Sequence, residues 1–351
     1  FVLGWRVTGR LRGAVIGAVI VIADGVSVVT GRLALLDGLV ALWTTLALLL
    51  LVAIADQPLD VVAQRRRRLL LGVVLGLALA TKWTAAVLVP VAVVTIVAVD
   101  QYLPPKVRWR RSAQSLLLVG ALTAGVYAAA HVPWLVNYEA SAAVDDSCRD
   151  GSCDVGLVGR VGDIVAYQGE VWDYHRTLDP QQPDAASAVR WFGQTHAVAL
   201  FVKTCDAALV QHAGESDGVC QSSAVREVRV LSMGNPVVWV VGPVALLLAA
   251  VGGWRRRDGA VLVLVGAGVM LWLPWLIGGR PGFTFYAAPL VPVLGAVIAA
   301  VVEWLPARLA RWWPVLLIVV GVVSVLLWPL WTGIAMSPET ADRLLWFNGW
   351  R

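Results

Sequence analysis

Three ionisable groups sit close together near the start of the chain: Asp24 in Ile22-Ala23-Asp24-Gly25, Arg32 in the short turn that follows, and Asp37 just inside the next apolar run. A charge at the depth of a membrane helix costs roughly 2.5–3.5 kcal/mol on insertion scales, so such groups are candidates for function. Two roles fit them: a structural Asp–Arg pair that closes a helical hairpin, or polar groups lining a substrate cavity. Lys82, in Ala80-Thr81-Lys82-Trp83, either faces a lipid phosphate or snorkels to the interface. Arg280 stands in a tight turn between Trp275-Leu276-Ile277-Gly278-Gly279 and Pro281-Gly282-Phe283-Thr284-Phe285-Tyr286. A guanidinium there can grip phosphate oxygens bidentately, or simply sit exposed in a loop.

A second set lies in the polar segment 136–235. Tyr138 and Glu139 directly follow an apolar run, and Trp172-Asp173-Tyr174-His175-Arg176 comes further on. A general base must titrate usefully and reach the reacting hydroxyl; Glu139, Asp173 and His175 have that chemistry, although a loop histidine is more often merely solvated. Asp24, Arg32, Asp37, Tyr138, Glu139, Tyr174 and His175 are therefore the candidate substrate pocket, and Arg32, Lys82 and Arg280 the candidate phosphate-binding cations. His131 falls at a helix end and reads as structural, while His196 and His212 have no spacing that suggests a site. No metal motif appears, and no cofactor is expected. Cys148, Cys153, Cys205 and Cys220 all lie in the same segment. Cys205 and Cys220 are too far apart for a zinc knuckle, so disulfides are favoured, with three pairings open. Disulfides imply an oxidising, extracytoplasmic location.

These groups are set in a chain of 351 residues that is 59% hydrophobic and only 15% charged, against about 25% charge in an ordinary soluble domain. Mean hydropathy is +0.75. The apolar residues gather in runs, such as 33–55 and 236–253, near the roughly 20 residues that cross a hydrocarbon core. Helices are expected over 13–30, 33–55, 69–81, 84–99, 112–135, 236–253, 259–277, 283–303 and 314–334, nine crossings in all. Read as one helix, 69–99 would be about 46 Å long against a core of roughly 30 Å. Both its flanks are basic, so two short helices meeting at Thr81, Lys82 and Trp83 are the economical solution.

Basic clusters at 65–68, 106–111 and 255–257 alternate with the apolar runs, as cytoplasmic loops do. The net charge of +5 thus belongs to membrane topology and not to a nucleic-acid surface. With those clusters inside, the cysteine-bearing segment falls outside, so two independent signals agree. Many of the 18 Trp, among them Trp83, Trp134, Trp239, Trp254, Trp304, Trp328 and Trp331, stand near run ends as interfacial anchors. The expected organisation is a helical bundle at 1–135, an extracytoplasmic loop at 136–235, and helices with an outer tail at 236–351. Phe1-Val2-Leu3 resemble the end of an earlier apolar run and carry no initiating Met, so a preceding N-terminal part is expected.

Taken in order, these residues resemble the protein O-mannosyltransferases that use dolichyl- or polyprenyl-phosphate mannose, in an actinobacterial form. Asp24-Gly25 leading to Gly31-Arg32-Leu33-Ala34-Leu35-Leu36-Asp37 is similar to that family's "DG…QSRxxLLD". Leu75-Gly76-Leu77-Ala78-Leu79-Ala80-Thr81-Lys82-Trp83 is similar to its "GLAxATKW". Val136-Asn137-Tyr138-Glu139-Ala140-Ser141, Trp172-Asp173-Tyr174-His175-Arg176, Trp272-Leu273-Pro274-Trp275 and Phe285-Tyr286 continue the likeness across nearly the whole chain. Two departures stand out: Thr30-Gly31 replaces Gln-Ser, and Thr177-Leu178-Asp179-Pro180 replaces an aromatic–His stretch.

The resemblance implies an all-α polytopic membrane protein with the GT-C-type glycosyltransferase bundle of about eleven helices, of which about nine are present. Its active site would be extracytoplasmic. It further implies that the acidic pair activating the acceptor hydroxyl precedes Phe1, in which case the chain as given lacks its catalytic base. The implied reaction is inverting: a Ser or Thr hydroxyl of an exported polypeptide attacks the anomeric carbon, and the polyprenyl phosphate leaves. Cations suffice to receive the leaving charge. The implied partners are a polyprenyl-phosphate mannose donor, exported acceptors with the secretion machinery, and the cell membrane. Two other enzyme or carrier classes share some features: a transferase acting on lipid or cell-wall glycan, and a secondary transporter, which would show inverted repeats that the sequence lacks. A purely structural subunit is the third.

Overall fold

The protein is described here by a computed structural model covering residues 1–56, 60–140, 156–177, 185–205, 226–277 and 282–351. The first helices are α1 (Val2–Thr8), α2 (Leu11–Ile22) and α3 (Gly25–Arg32). α2 and α3 form one apolar run bent by 60°, because Asp24 is extended and its carboxylate accepts from the Val26 N–H at 3.1 Å, capping a new helix. A tight turn with Ala34 in the left-handed region (φ 51°) then leads into α4 (Leu36–Asp56).

α5 (Val61–Thr81) and α6 (Leu88–Asp100) are the two short helices expected over 69–99. Lys82 is fully extended between them (φ −163°, ψ 132°), and a 3-10 turn, Trp83–Val87, leads into α6. Near their far ends the helices meet again: Arg68 of α5 pairs with Asp100 of α6 at 2.7 Å. The chain therefore reverses at Lys82, which stands at the apex. α7 (Pro105–Ala129) runs back along α5. Gly72-Val73-Val74-Leu75-Gly76 lets the two backbones approach: a Cβ on Gly76 would lie 2.6 Å from Val126 Cβ, and one on Gly72 2.8 Å from Leu122 Cβ.

Between the membrane helices come α8 (Val132–Val136), α9 (Leu157–Thr177), α10 (Ala188–Trp191) and an antiparallel hairpin of β1 (Val198–Cys205) and β2 (Arg226–Ser232). The segment expected as a loop thus holds two helices of its own and a small sheet. Cys148, Cys153, Cys220 and His212 lie outside the described residues, so the disulfide expectation does too. α11 (Pro236–Arg256), α12 (Gly259–Ile277), α13 (Leu290–Trp304), α14 (Ala307–Ala310), α15 (Trp313–Thr332) and α16 (Pro338–Leu344) complete the described chain.

Helices cover all nine expected runs, but among the described residues six are long and apolar enough to cross a membrane, or seven with the bent α2–α3 pair. Two fall short for opposite reasons. α5 carries four consecutive arginines, Arg65 to Arg68, within its first half, and α13 has only 15 residues. α13 is also the most buried helix, packed against α2 where Gly295 meets Gly17 backbone to backbone. Its end is held by Glu303, which accepts from Arg12 Nε at 2.7 Å. The result is a bundle with a basic end, carrying Arg12, Arg68 and Arg111, and an opposite end carrying Asp24, Asp37 and Lys82.

Candidate functional site

Asp37 and Lys82 come together at the end opposite the basic clusters. Asp37 lies in the first turn of α4, where a carboxylate suits the helix dipole. Lys82 Nζ, released from helix geometry by the extended backbone, reaches both carboxylate oxygens at 2.8 and 2.9 Å. The pair is asymmetric in exposure: the Lys82 side chain is 24% exposed and that of Asp37 only 8%. Thr81 braces the apex by bonding Leu77 O and accepting from Trp43 Nε1 at 3.1 Å.

The ammonium also lies 4.2 Å from the centre of the Tyr286 ring, a cation–π distance. Tyr286 stacks on Trp275 at 4.7 Å, and Phe285 meets its ring edge-on at 4.9 Å. The 3-10 turn Thr284–Ala287 that carries Tyr286 is fixed by Thr284, whose hydroxyl donates to Ser232 O at 2.5 Å. Lys82 thus sits between a carboxylate and an aromatic wall, with one side still accessible. A cation held this way can meet an anionic oxygen from the open side without being reoriented.

Asp24 is placed elsewhere. It is wholly buried, and its carboxylate accepts from Asn235 N at 2.8 Å and Trp239 Nε1 at 2.8 Å as well as from Val26 N. The Asn235 amide then donates to Val320 O and Ser324 Oγ, both at 2.9 Å. This knot ties the α2–α3 break to the start of α11 and to the middle of α15. Of the two readings open for this group, the structural Asp–Arg pair is not formed by Asp24; Arg32 is exposed at the end of α3. Arg280 lies outside the described residues.

Tyr138 is buried and donates its hydroxyl to Asp163 of α9, which holds the phenol proton on and raises its pKa. The Arg160 guanidinium lies 5.0 Å from its ring. Glu139 is exposed beside it. Tyr174 and His175 lie near the end of α9, ring to ring at 5.5 Å, with Tyr174 exposed. Of the seven pocket candidates, then, Asp37 lies against Lys82, whereas Asp24 and Tyr138 are hydrogen-bonded to other partners. Tyr286 and Trp275 were recognisable only as aromatics around the Arg280 turn; contact across 204 residues of sequence has no local signature.

Two apolar grooves flank this end. One of about 610 Å³ starts at Trp83, the residue after Lys82, and runs between α5, α6 and α7 past Ile96 and Gly120. Trp83 Nε1 donates to the Tyr127 hydroxyl at 2.8 Å, which donates to Gln168 of α9 at 2.9 Å, closing the groove's upper rim. The other, about 890 Å³, lies beside α2 and α4. Among the described residues no group of His, Cys, Asp and Glu could hold a metal ion.

Residues 1–142, which carry Asp24, Arg32, Asp37 and Lys82, match the model of the dolichyl-phosphate-mannose-protein mannosyltransferase family. The match covers the first 142 of the chain's 351 residues. Across 99% of its length the chain is 27% identical to a polyprenol-phosphate-mannose--protein mannosyltransferase of Mycobacterium tuberculosis, of which it covers 77%. A protein of the same name from Mycolicibacterium smegmatis is 26% identical over 99% of the chain and 78% of its own length. One from Corynebacterium glutamicum is 22% identical over 99% of the chain and 73% of its own length. No solved structure matches the chain. Within the family stretch, the Asp37–Lys82 pair joins the two motifs by which the sequence resembles these transferases.

Proposed function

We propose that this membrane protein transfers mannose from polyprenyl-phosphate mannose to Ser or Thr hydroxyls of exported polypeptides, with inversion at the anomeric carbon. The observation that carries the reading is the buried-edge pair of Asp37 and Lys82, open on one side, within the family stretch. In the transfer, a bond forms between the acceptor oxygen and C1 as the bond from C1 to the phosphate oxygen breaks. The hydroxyl proton passes to a base, and the leaving phosphate gains a full negative charge. Lys82 receives that charge from a fixed position, and Asp37 keeps the ammonium there before the donor arrives. Arg32 and Arg280 are the further phosphate contacts.

The aromatic wall of Tyr286, Trp275 and Phe285 suits the apolar face of a hexose, and the groove beginning at Trp83 suits the polyprenyl tail. On this reading the protein sits in the cell membrane with the Lys82 end outside, and meets its acceptors as the secretion machinery delivers them. The test is incubation of the purified full-length protein, in lipid, with labelled polyprenyl-phosphate mannose and a Ser/Thr-rich peptide. Mannosyl peptide of inverted anomeric configuration is the expected product. Label appearing only in lipid or glycan would replace protein by those acceptors.

A further inference from the structure

The basic end of the bundle holds a second polar centre, which the transfer reaction does not use. Arg68 is buried there, its side chain 3% exposed, and grips Asp100 with both Nη atoms at 2.7 and 3.1 Å. Ser112 donates to the same carboxylate at 2.9 Å, and Ser115 accepts from Arg68 at 2.5 Å. Arg111 approaches Asp100 at 3.6 Å. Beside this clamp opens a cavity of about 260 Å³, lined by Arg65, Arg68, Arg111, Gln114, Ser115 and Leu118. Three guanidiniums border it, and among the described residues Asp100 is the one carboxylate bonded to any of them, which leaves two positive charges uncompensated there (three minus one).

A surplus of that size beside a buried, pre-oriented arginine is a receptor for a doubly accepting anion. What lies next to it identifies the source. Leu118 lines the cavity itself and is 37% exposed, and the apolar helix α7 that carries it is largely uncovered by the rest of the protein, with Leu117 74% exposed. Charged groups at the base of an apolar, outward-facing surface match a phosphodiester headgroup with its acyl chains alongside. The centre is also far from the donor site: Lys82 directly follows α5, 14 residues on from Arg68, which is about 20 Å along the helix.

We infer that the cleft between α5 and α7 at the basic end binds the phosphodiester headgroup of an anionic phospholipid through Arg65, Arg68 and Arg111. The bound lipid would brace the α5–α6 hairpin whose apex carries Lys82. The inference stands apart from the proposed transfer and holds whatever the acceptor proves to be.

Native mass spectrometry of the purified full chain, titrated with phosphatidylglycerol, phosphatidylcholine or inorganic phosphate, tests it. Phosphatidylglycerol should bind at least tenfold more tightly than phosphatidylcholine, and the Arg65→Gln/Arg111→Gln variant should lose most of that preference. Arg68 is left in place because its removal would leave Asp100 buried and unpaired. Should the double variant not fold, Gln114→Glu puts a repelling charge at the cavity wall without removing the clamp, and should weaken phosphatidylglycerol in the same sense. Equal binding of the two lipids, or a preference unchanged in the variants, overturns the inference. Displacement of the lipid by millimolar phosphate would also overturn it, reducing the centre to a free-anion site.

Discussion

Lys82 shows how a single residue acquires a role from its backbone. A lysine inside a helix at this position would have snorkelled; extended, it lies across Asp37 and under Tyr286. Asp37→Asn should leave the ammonium without its anchor, and transfer is expected to fall by about tenfold to a hundredfold through kcat, with the fold kept. Steady-state kinetics of the variant in lipid checks this. Asp24 predicts the opposite pattern. Asp24→Ala strips three donors of a buried charged acceptor, at a cost on the order of 3 kcal/mol or more. Its unfolding temperature in detergent should drop clearly while turnover per folded molecule changes little. The sequence marked both aspartates as unusual, since each is a charge near an apolar run. It did not separate them, because the partners of Asp24, Asn235 and Trp239, lie more than two hundred residues away.

Among the elements, the α5–α7 contact and the groove beside it depend on glycines for different reasons. Gly76→Leu would force Cβ atoms into Val126 and the Thr123 carbonyl, which lie 2.6 and 2.8 Å from the added carbon. The helices should separate and the protein should be lost from the membrane fraction, as immunoblotting would reveal. Gly120 faces open space within the Trp83 groove, so Gly120→Leu should fold normally yet fill the path of the tail. The KM for a long-chain donor should then rise, while a donor with a short tail should be turned over as before. The reversal at Lys82 was legible from the basic clusters on both sides of 69–99. The burial of α13 was not: a fifteen-residue apolar helix has the composition of a span, and only its neighbours cover it on every side.

At the scale of the whole molecule, charge and apolar length together made the bundle legible, because lipid leaves a chain few ways to satisfy its backbone. Each of the nine expected runs is helical, and the long basic clusters gather at one end. The segment 136–235 was less legible. Its hairpin strands are short, its 21-residue α9 is interrupted by charged and polar residues, and they are held by contacts with Met336, Tyr127 and Tyr138. The central claim, that the Lys82 ammonium receives the leaving phosphate's charge, is tested most directly by single-turnover mannose transfer with Lys82→Met and Lys82→Arg in the full-length protein. The account predicts a rate lower by about a hundredfold or more for Met, with partial recovery for Arg and unchanged membrane insertion. A Met variant that transfers mannose at the native rate would contradict it.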